Sequence, residues 1–412
     1  MRSLGVLAVL VALVASVVCV EKARFDHYRV YSVPIETEEQ LRQLQQIDSH
    51  PNGYELWEYP SAVGITIPVM VPPHKRADFA ELTANWANVR LEIENLQEKF
   101  DEEQPKVMPR MFGWDSYHTL AEIYEWLDVM AYAHSSVART VVGGVSHEGR
   151  EIKGLRISHK SGNPGVFIEA GIHAREWIAD ATATFIINEL LTSTNPDIQD
   201  IARNYDWYIF PVVNPDGYEY SHTTNRNWRK TRKPSSSVCY GADANRNWGY
   251  NWNQGGVSTN PCSDTFLGTA PFSEVETKSL SDYYSSLSGI STYISFHSYG
   301  QMLLVPFGHT RDRLGNYYDL VEIGGKAVEK LAERFGTRYT YGNIAETIYI
   351  ASGGSIDWVK GVKGTGLVYC YELRDTGRYG FSLPANQIRP TGQETLDSIV
   401  VILREGANKG YH

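Results

Sequence analysis

The sequence predicts an α/β protein in which a mixed, largely parallel sheet flanked by helices follows a small α+β, ferredoxin-like domain. Three observations carry this. Apolar strand-like runs alternate with amphipathic helical patterns through residues 111–412. Residues 21–110 read in the order β-α-β-β-α-β. A segment bearing Pro105, Lys106, Pro109 and Arg110 divides the two. At 412 residues, 42% hydrophobic and 21% charged, the chain has room for two or three domains, and disorder or a small disulfide scaffold is excluded. A net charge of −10, from 38 Lys+Arg against 48 Asp+Glu, offers no footprint for nucleic acid.

The first nineteen residues read as a signal peptide. Arg2 gives the basic start, Leu4 to Val14 the apolar stretch, and Ala15, Ser16 and Cys19 the small residues of a cleavage region. A membrane anchor would need about twenty apolar residues, and Glu21, Lys22 and Arg24 end the run too early. The expectation is a secreted protein with no membrane partner.

Within residues 20–110, strands are expected at 28–35, 54–59, 64–71 and 89–93, with helices at 38–47 and 75–86. The charged stretch 98–103 reads with the following prolines as an exposed linker. In residues 111–412, helices are expected at 119–132, 179–191, 274–287, 317–335 and 394–406, and strands at 165–171, 207–213, 291–296, 302–307 and 366–372. Sheets of this kind bind ligands at the carboxyl ends of their strands.

With Cys19 in the signal, three of the four cysteines remain. Cys239 and Cys262 bracket a polar Gly/Asn/Ser-rich stretch, whereas Cys370 sits in the apolar run Gly-Leu-Val-Tyr-Cys-Tyr. In an oxidising compartment this predicts a Cys239–Cys262 disulfide and a free, buried Cys370. Closing a loop of that size contributes about 3 kcal/mol in the chain-entropy model.

The chemistry concentrates at strand ends. Gly171-Ile172-His173-Ala174-Arg175-Glu176-Trp177 follows a predicted strand, and His173 alone among the 12 histidines has a Glu three residues on. His297 ends another apolar strand, so two strand-end sites supply ligand-type residues to one sheet edge. Asp243-Ala244-Asn245-Arg246-Asn247, Asn225-Arg226-Asn227-Trp228-Arg229 and Tyr371-Glu372-Leu373 lie at comparable places. Each alone is compatible with a solvated loop or a structural ion pair. Together they hold metal ligands, guanidinium groups and a lone carboxylate, the inventory for metal-assisted hydrolysis of a negatively charged substrate.

Those runs, with Thr347-Ile348-Tyr349, Ala351-Ser352-Gly353-Gly354-Ser355-Ile356-Asp357-Trp358 and Glu372-Leu373-Arg374-Asp375-Thr376-Gly377, resemble the pancreatic-type carboxypeptidase A and B group of secreted zinc metallocarboxypeptidases. The resemblance spans essentially the whole chain and implies an eight-stranded sheet, a zymogen and an A-like enzyme. It implies that His173, Glu176 and His297 bind one Zn²⁺, the His₂Glu set known for carboxypeptidase A. By the same resemblance, Glu372 is the general base, Arg229 stabilises the oxyanion, and Asp243 orients His173. Arg246, Asn245 and Tyr349 would hold the substrate's terminal carboxylate, with Arg226 on its approach.

The resemblance also places Ile344, Ile348, Ile356 and Cys370 around the pocket for the C-terminal side chain. Basic-specific members have Asp where this chain has Ile356. A Lys or Arg head would be desolvated there without a partner, so aromatic or bulky aliphatic residues are expected. Asp357 is expected to be structural, and Cys370 departs from the small residue or Thr more usual there. Residues 20–110 resemble an activation segment, cut after Arg110, or else Lys106, by a trypsin-like protease; the chain is expected to be a monomer. A basic-specific enzyme and an inactive peptide-binding homologue are the alternatives. The second would be expected to lack one of His173, Glu176, His297 or Glu372, and all four are present.

Overall fold

The computed structural model describes residues 21–109 and 111–412. The expected signal peptide and Arg110, the expected cut, lie outside the described residues. Among the described residues no helix is long and apolar enough to cross a membrane.

The amino-terminal domain contains β1 (Arg29–Pro34), α1 (Glu38–Ser49), β2 (Glu55–Leu56), β3 (Thr66–Val71), α2 (Arg76–Leu82), β4 (Arg90–Ile93) and α3 (Leu96–Glu103). Its sheet is antiparallel in the order β2-β3-β1-β4, the arrangement expected for a ferredoxin-like domain. Helix α1 begins at a capping box, in which Thr37 accepts from the Gln40 N–H while the Gln40 side chain accepts from the Thr37 N–H. Val33, Ile67, Val69 and Val71 pack with Leu44 and Phe79 on one face of the sheet. Val30, Met70 and Ile93 lie in a second cluster with Trp57, Leu96 and, from the larger domain, Phe381.

The larger domain contains α4 (Leu120–Ala133), β5 (Ala138–Val145), β6 (Glu151–Ile157), β7 (Gly165–Glu169), α5 (Trp177–Thr192), α6 (Pro196–Asn204), β8 (Asp206–Phe210), α7 (Pro215–Thr223), α8 (Val275–Ser286), β9 (Ile290–Ser298), β10 (Met302–Val305), α9 (Tyr317–Phe335), β11 (Thr340–Asn343), α10 (Ile344–Thr347), α11 (Ser355–Gly361), β12 (Leu367–Leu373) and α12 (Ile388–Asn408). Its eight strands run in the order β11-β10-β12-β9-β7-β8-β6-β5. The central pairs β12·β9, β9·β7 and β7·β8 are parallel, as is β10·β11, and the other three pairs are antiparallel.

Every residue of β7 is buried, as a central parallel strand covered on both faces requires. Alternation along β12 serves two cores. Tyr369 and Tyr371 join α5, α9 and α12 on one side, while Val368 and Cys370 join α8 and α11 on the other. The disulfide links Cys239 to Cys262, and Cys370 is free and buried.

The sequence-based boundaries need correction in several places. The stretch 98–103 is not an exposed linker: it belongs to α3, and its last residue, Glu103, is buried. The expected strand at 54–59 pairs only over β2, because the chain then turns Trp57 and Glu58 towards the larger domain's cleft. Strands β5, β6 and β11 and helices α6, α7, α10 and α11 carried no prediction.

Candidate active site

Three adjacent parallel strands deliver the site from their carboxyl ends. Strand β7 leads through Gly171 to His173, β9 carries His297, and β12 carries Glu372, which stands opposite His297 in the register of the two strands. Gly171 has φ +65°, and a Cβ there would lie 2.1 Å from Asp180 Oδ1, so the turn that presents His173 requires glycine.

His173, Glu176 and His297 bring one ligand atom each within 4.8 Å of one another, and all three side chains are buried. His173 Nδ1 lies 2.8 Å from Glu176 Oε1, and His297 Nδ1 lies 3.1 Å from both His173 Nδ1 and Glu176 Oε2. Two imidazole nitrogens and a carboxylate facing one point in a dry setting form a donor set that suits a divalent cation, zinc above all. Burial pushes the Glu176 carboxyl upward, but the charges and hydrogen bonds of His173 and His297 outweigh it and hold the group below the usual range. Burial opposes charge on His297, and the Glu176 contact outweighs it and raises the imidazole.

The surroundings fix these groups. Asp243 Oδ1 stands 3.0 Å from His173 Nε2 and accepts the Asn245 N–H at 2.9 Å; its Oδ2 accepts from Arg229 Nε and Nη2 at 3.1 and 2.8 Å. Burial pushes Asp243 up, and Arg229 and His173 together drive it well below the carboxylate range. One buried carboxylate thus turns the imidazole and holds the guanidinium, as metal-bound histidines usually require. The Ser298 N–H donates to Glu176 Oε2 at 3.2 Å.

Arg229, Asn245, Arg246, Tyr349 and Glu372 line the same cleft as the metal-ligand set, as do Ile344, Ile348, Ile356 and Cys370. Arg246 Nη2 donates to the Tyr349 hydroxyl at 3.3 Å. Burial pushes the Glu372 carboxyl up, opposed by His297 and reinforced by the Glu176 and Glu58 charges. Asp357 also lines this cleft, with its carboxylate already engaged: its oxygens accept the backbone N–H groups of Gly308 and His309 at 2.8 to 3.0 Å and contact His309 Nδ1 at 2.8 Å.

Arg226 is the exception among the expected substrate-binding residues, because it does not line the cleft. Its guanidinium pairs with Glu103 of α3, with Nε 2.7 Å from Oε2 and Nη2 on Oε1, while Nη1 donates to the Arg175 carbonyl at 2.8 Å. The group stacks 3.7 Å from the Trp177 ring. The strongest local charge available to it is the buried acid of the amino-terminal domain, and sequence spacing gave no sign of that partner.

The cleft is capped by the amino-terminal domain through Trp57, Glu58 and Pro68. Trp57 packs on Phe381 with ring centroids 4.9 Å apart. Arg175 Nη1 donates to Glu55 Oε1 at 3.1 Å and to Asp264 Oδ2 at 2.8 Å, and the Arg175 guanidinium lies 4.2 Å from the Phe381 ring. Asp48 accepts from Ser258, within the disulfide-closed loop, and from Ser263, immediately after it, both at 2.6 Å. Arg175, Trp57 and Glu55 were missed in the sequence because their roles exist only across the domain boundary; the position of Arg175 between two metal-ligand candidates was the available signal.

Residues 123–398 match the family model described as zinc carboxypeptidase, and residues 31–103 match that described as carboxypeptidase activation peptide. The chain is 45% identical over 411 residues to zinc carboxypeptidase A 1 of Anopheles gambiae, covering 98% of this chain and 95% of that protein. It is 55% identical over 298 residues to a zinc carboxypeptidase of Simulium vittatum, covering 72% of this chain and 98% of that one. Among solved structures, carboxypeptidase A from Helicoverpa armigera superposes with a TM-score of 0.83 at 29% identity, covering 94% of this chain and 99% of the other.

Proposed function

The chain belongs to the zinc carboxypeptidase family, and from its site we propose that it is a secreted, latent exopeptidase that removes aromatic or bulky aliphatic residues from peptide carboxyl termini. The family and the activation-peptide match make it a metallocarboxypeptidase with zymogen architecture. The observation that supports the finer reading is the convergence of two chemistries in one cleft. The buried His173, Glu176 and His297 set and Glu372 line it together with Arg246, Asn245 and Tyr349 and with the apolar Ile344, Ile348 and Ile356.

In this reading His173, Glu176 and His297 hold zinc, which when bound acidifies water and polarises a carbonyl. Glu372 takes a proton from the attacking water at its carboxylate and returns it to the leaving amine nitrogen. Arg229, held in place by Asp243, presents its guanidinium to the oxygen on which charge develops. Arg246 pairs with the terminal carboxylate, and Asn245 and Tyr349 complete the grip. Ile344, Ile348 and Ile356 favour an apolar side chain because a cationic head would lose its water without gaining a partner. The Asp357 carboxylate, engaged by Gly308 and His309, supports this preference.

The domain boundaries 20–110 and 111–412, the signal peptide 1–19, the trypsin-like cut after Arg110 and a monomeric state belong to the same proposal. Hydrolysis of hippuryl-Phe and hippuryl-Arg by the trypsin-treated protein tests the specificity. Faster release from the Phe substrate is expected; faster release from the Arg substrate would make the enzyme basic-specific.

A further inference from the structure

Glu169 ends strand β7 four residues before His173 and is completely buried. Its Oε1 accepts two hydroxyl hydrogen bonds from separate parts of the chain. Ser295 Oγ donates at 2.9 Å from β9, two residues before His297, and Ser355 Oγ donates at 2.5 Å from the first residue of α11. Ser355 also donates its backbone N–H to Asn245 Oδ1 at 2.9 Å. The approach is close: a Cβ on the preceding residue, Gly354, would stand 3.4 Å from that same Oδ1.

A side-chain amide has an acceptor oxygen and a donor nitrogen on opposite sides. With Oδ1 committed to Ser355, Asn245 faces the metal-ligand side with Nδ2, which lies 3.3 Å from His297 Nε2. An amide turned the other way would offer a carboxylate ligand an oxygen, and repel it. The orientation of Asn245 therefore depends on where the Ser355 backbone sits, and Glu169 is the group that holds the Ser355 side chain.

We propose that Glu169 is a positioning residue for recognition of the substrate's terminal carboxylate: it fixes Ser355, which orients the Asn245 amide with its donor towards the cleft. The Glu169–Ser295 bond ties this arrangement to the strand that carries His297. The inference rests on the reading of Asn245 and Arg246 as the carboxylate grip.

The test uses the full-length protein after trypsin treatment, with inhibition by L-phenylalanine compared with inhibition by L-phenylalaninamide. The wild type should prefer the free acid. Glu169→Ala and Ser355→Ala should each reduce that preference roughly tenfold, the size of a lost hydrogen bond to a charged group. The double variant should lose no more than either single one. Glu169→Gln, which keeps an acceptor oxygen for Ser355, should recover most of the preference, with the zinc content unchanged throughout. Additive losses, equal weakening of both inhibitors, or an unchanged preference in Glu169→Ala would overturn the proposal. Where Glu169→Ala does not fold, a wild-type preference in Ser355→Ala overturns it. A wild type with no preference removes the grip itself, and the proposal falls with it, a failure recognisable because no variant is involved.

Discussion

At the scale of single residues, the proposed function makes Arg246 the group that would distinguish a chain end from a chain interior. A peptide has one terminal carboxylate, whereas an internal bond offers only a neutral carbonyl and leaves the buried guanidinium unpaired. Breaking a buried ion pair costs about 3–5 kcal/mol, so Arg246→Ala should lower kcat/KM on free-carboxylate peptides by roughly 10² to 10³. Steady-state kinetics check this, and near-normal turnover would contradict the assignment. Most of the site was legible at this scale because its residues come in short runs at strand ends. His173 and Glu176 share one loop, and His297 and Glu372 each close an apolar strand. Arg226 was equally legible as a cation, but its partner was not, since Glu103 lies 123 residues away on another domain. Glu169 was hidden for the opposite reason, as a single acid inside an apolar strand gives no sign of the two serines that converge on it.

At the scale of elements, strand β2 and helix α3 hold the amino-terminal domain on the cleft. Each presents an acid to a buried arginine, the half-buried Glu55 to Arg175 and the buried Glu103 to Arg226. Burial first, then the neighbouring Asp264 charge, raise the Glu55 carboxyl well above its ordinary 4.5, against the pull of Arg175. A group whose value is raised in the docked state binds a proton that the undocked state has already released. Docking is therefore strongest below the ordinary carboxylate range and weakens as pH rises towards the docked value. Asp48 and Glu103 are raised in the same direction, mainly by burial. Protein nicked by trypsin should keep its amino-terminal domain on gel filtration at pH 5 and release it increasingly towards pH 8. Glu55→Gln should flatten that dependence.

The helices and strands that could be read from sequence were those with a continuous pattern. The expected helix at 317–335 coincides with α9, and β7 and β12 lie within a residue or two of their apolar runs. The edge strand β5 and its neighbour β6 were missed because charged residues such as Arg139, Lys153 and Arg156 break their apolar alternation. The 98–103 helix was missed because its acids resemble a solvated run until the partner cation is known.

At the scale of the whole molecule, the fold brings the two domains together over one cleft. The eight-stranded sheet supplies the candidate site from its centre, the ferredoxin-like sheet supplies a cover, and Trp57 against Phe381 is one of the apolar contacts between them. A cation bound by His173, Glu176 and His297 would bind the native chain and not the unfolded one. Zinc should therefore raise the melting temperature and a chelator lower it, in step with free-metal concentration. Thermal melts across a zinc series check this, and a midpoint independent of zinc would contradict the ligand set.

The proposed function is that of a metal-dependent exopeptidase held latent by its own amino-terminal domain. The most direct measurement is hippuryl-Phe hydrolysis by the zinc-loaded full chain before and after brief trypsin treatment, each with and without a chelator. Little activity is expected before the cut, a large rise after it, and loss of that rise with chelation. Full activity in the uncut protein would contradict latency. Silence in correctly cut, zinc-loaded protein would contradict the enzyme and favour an inactive peptide-binding homologue.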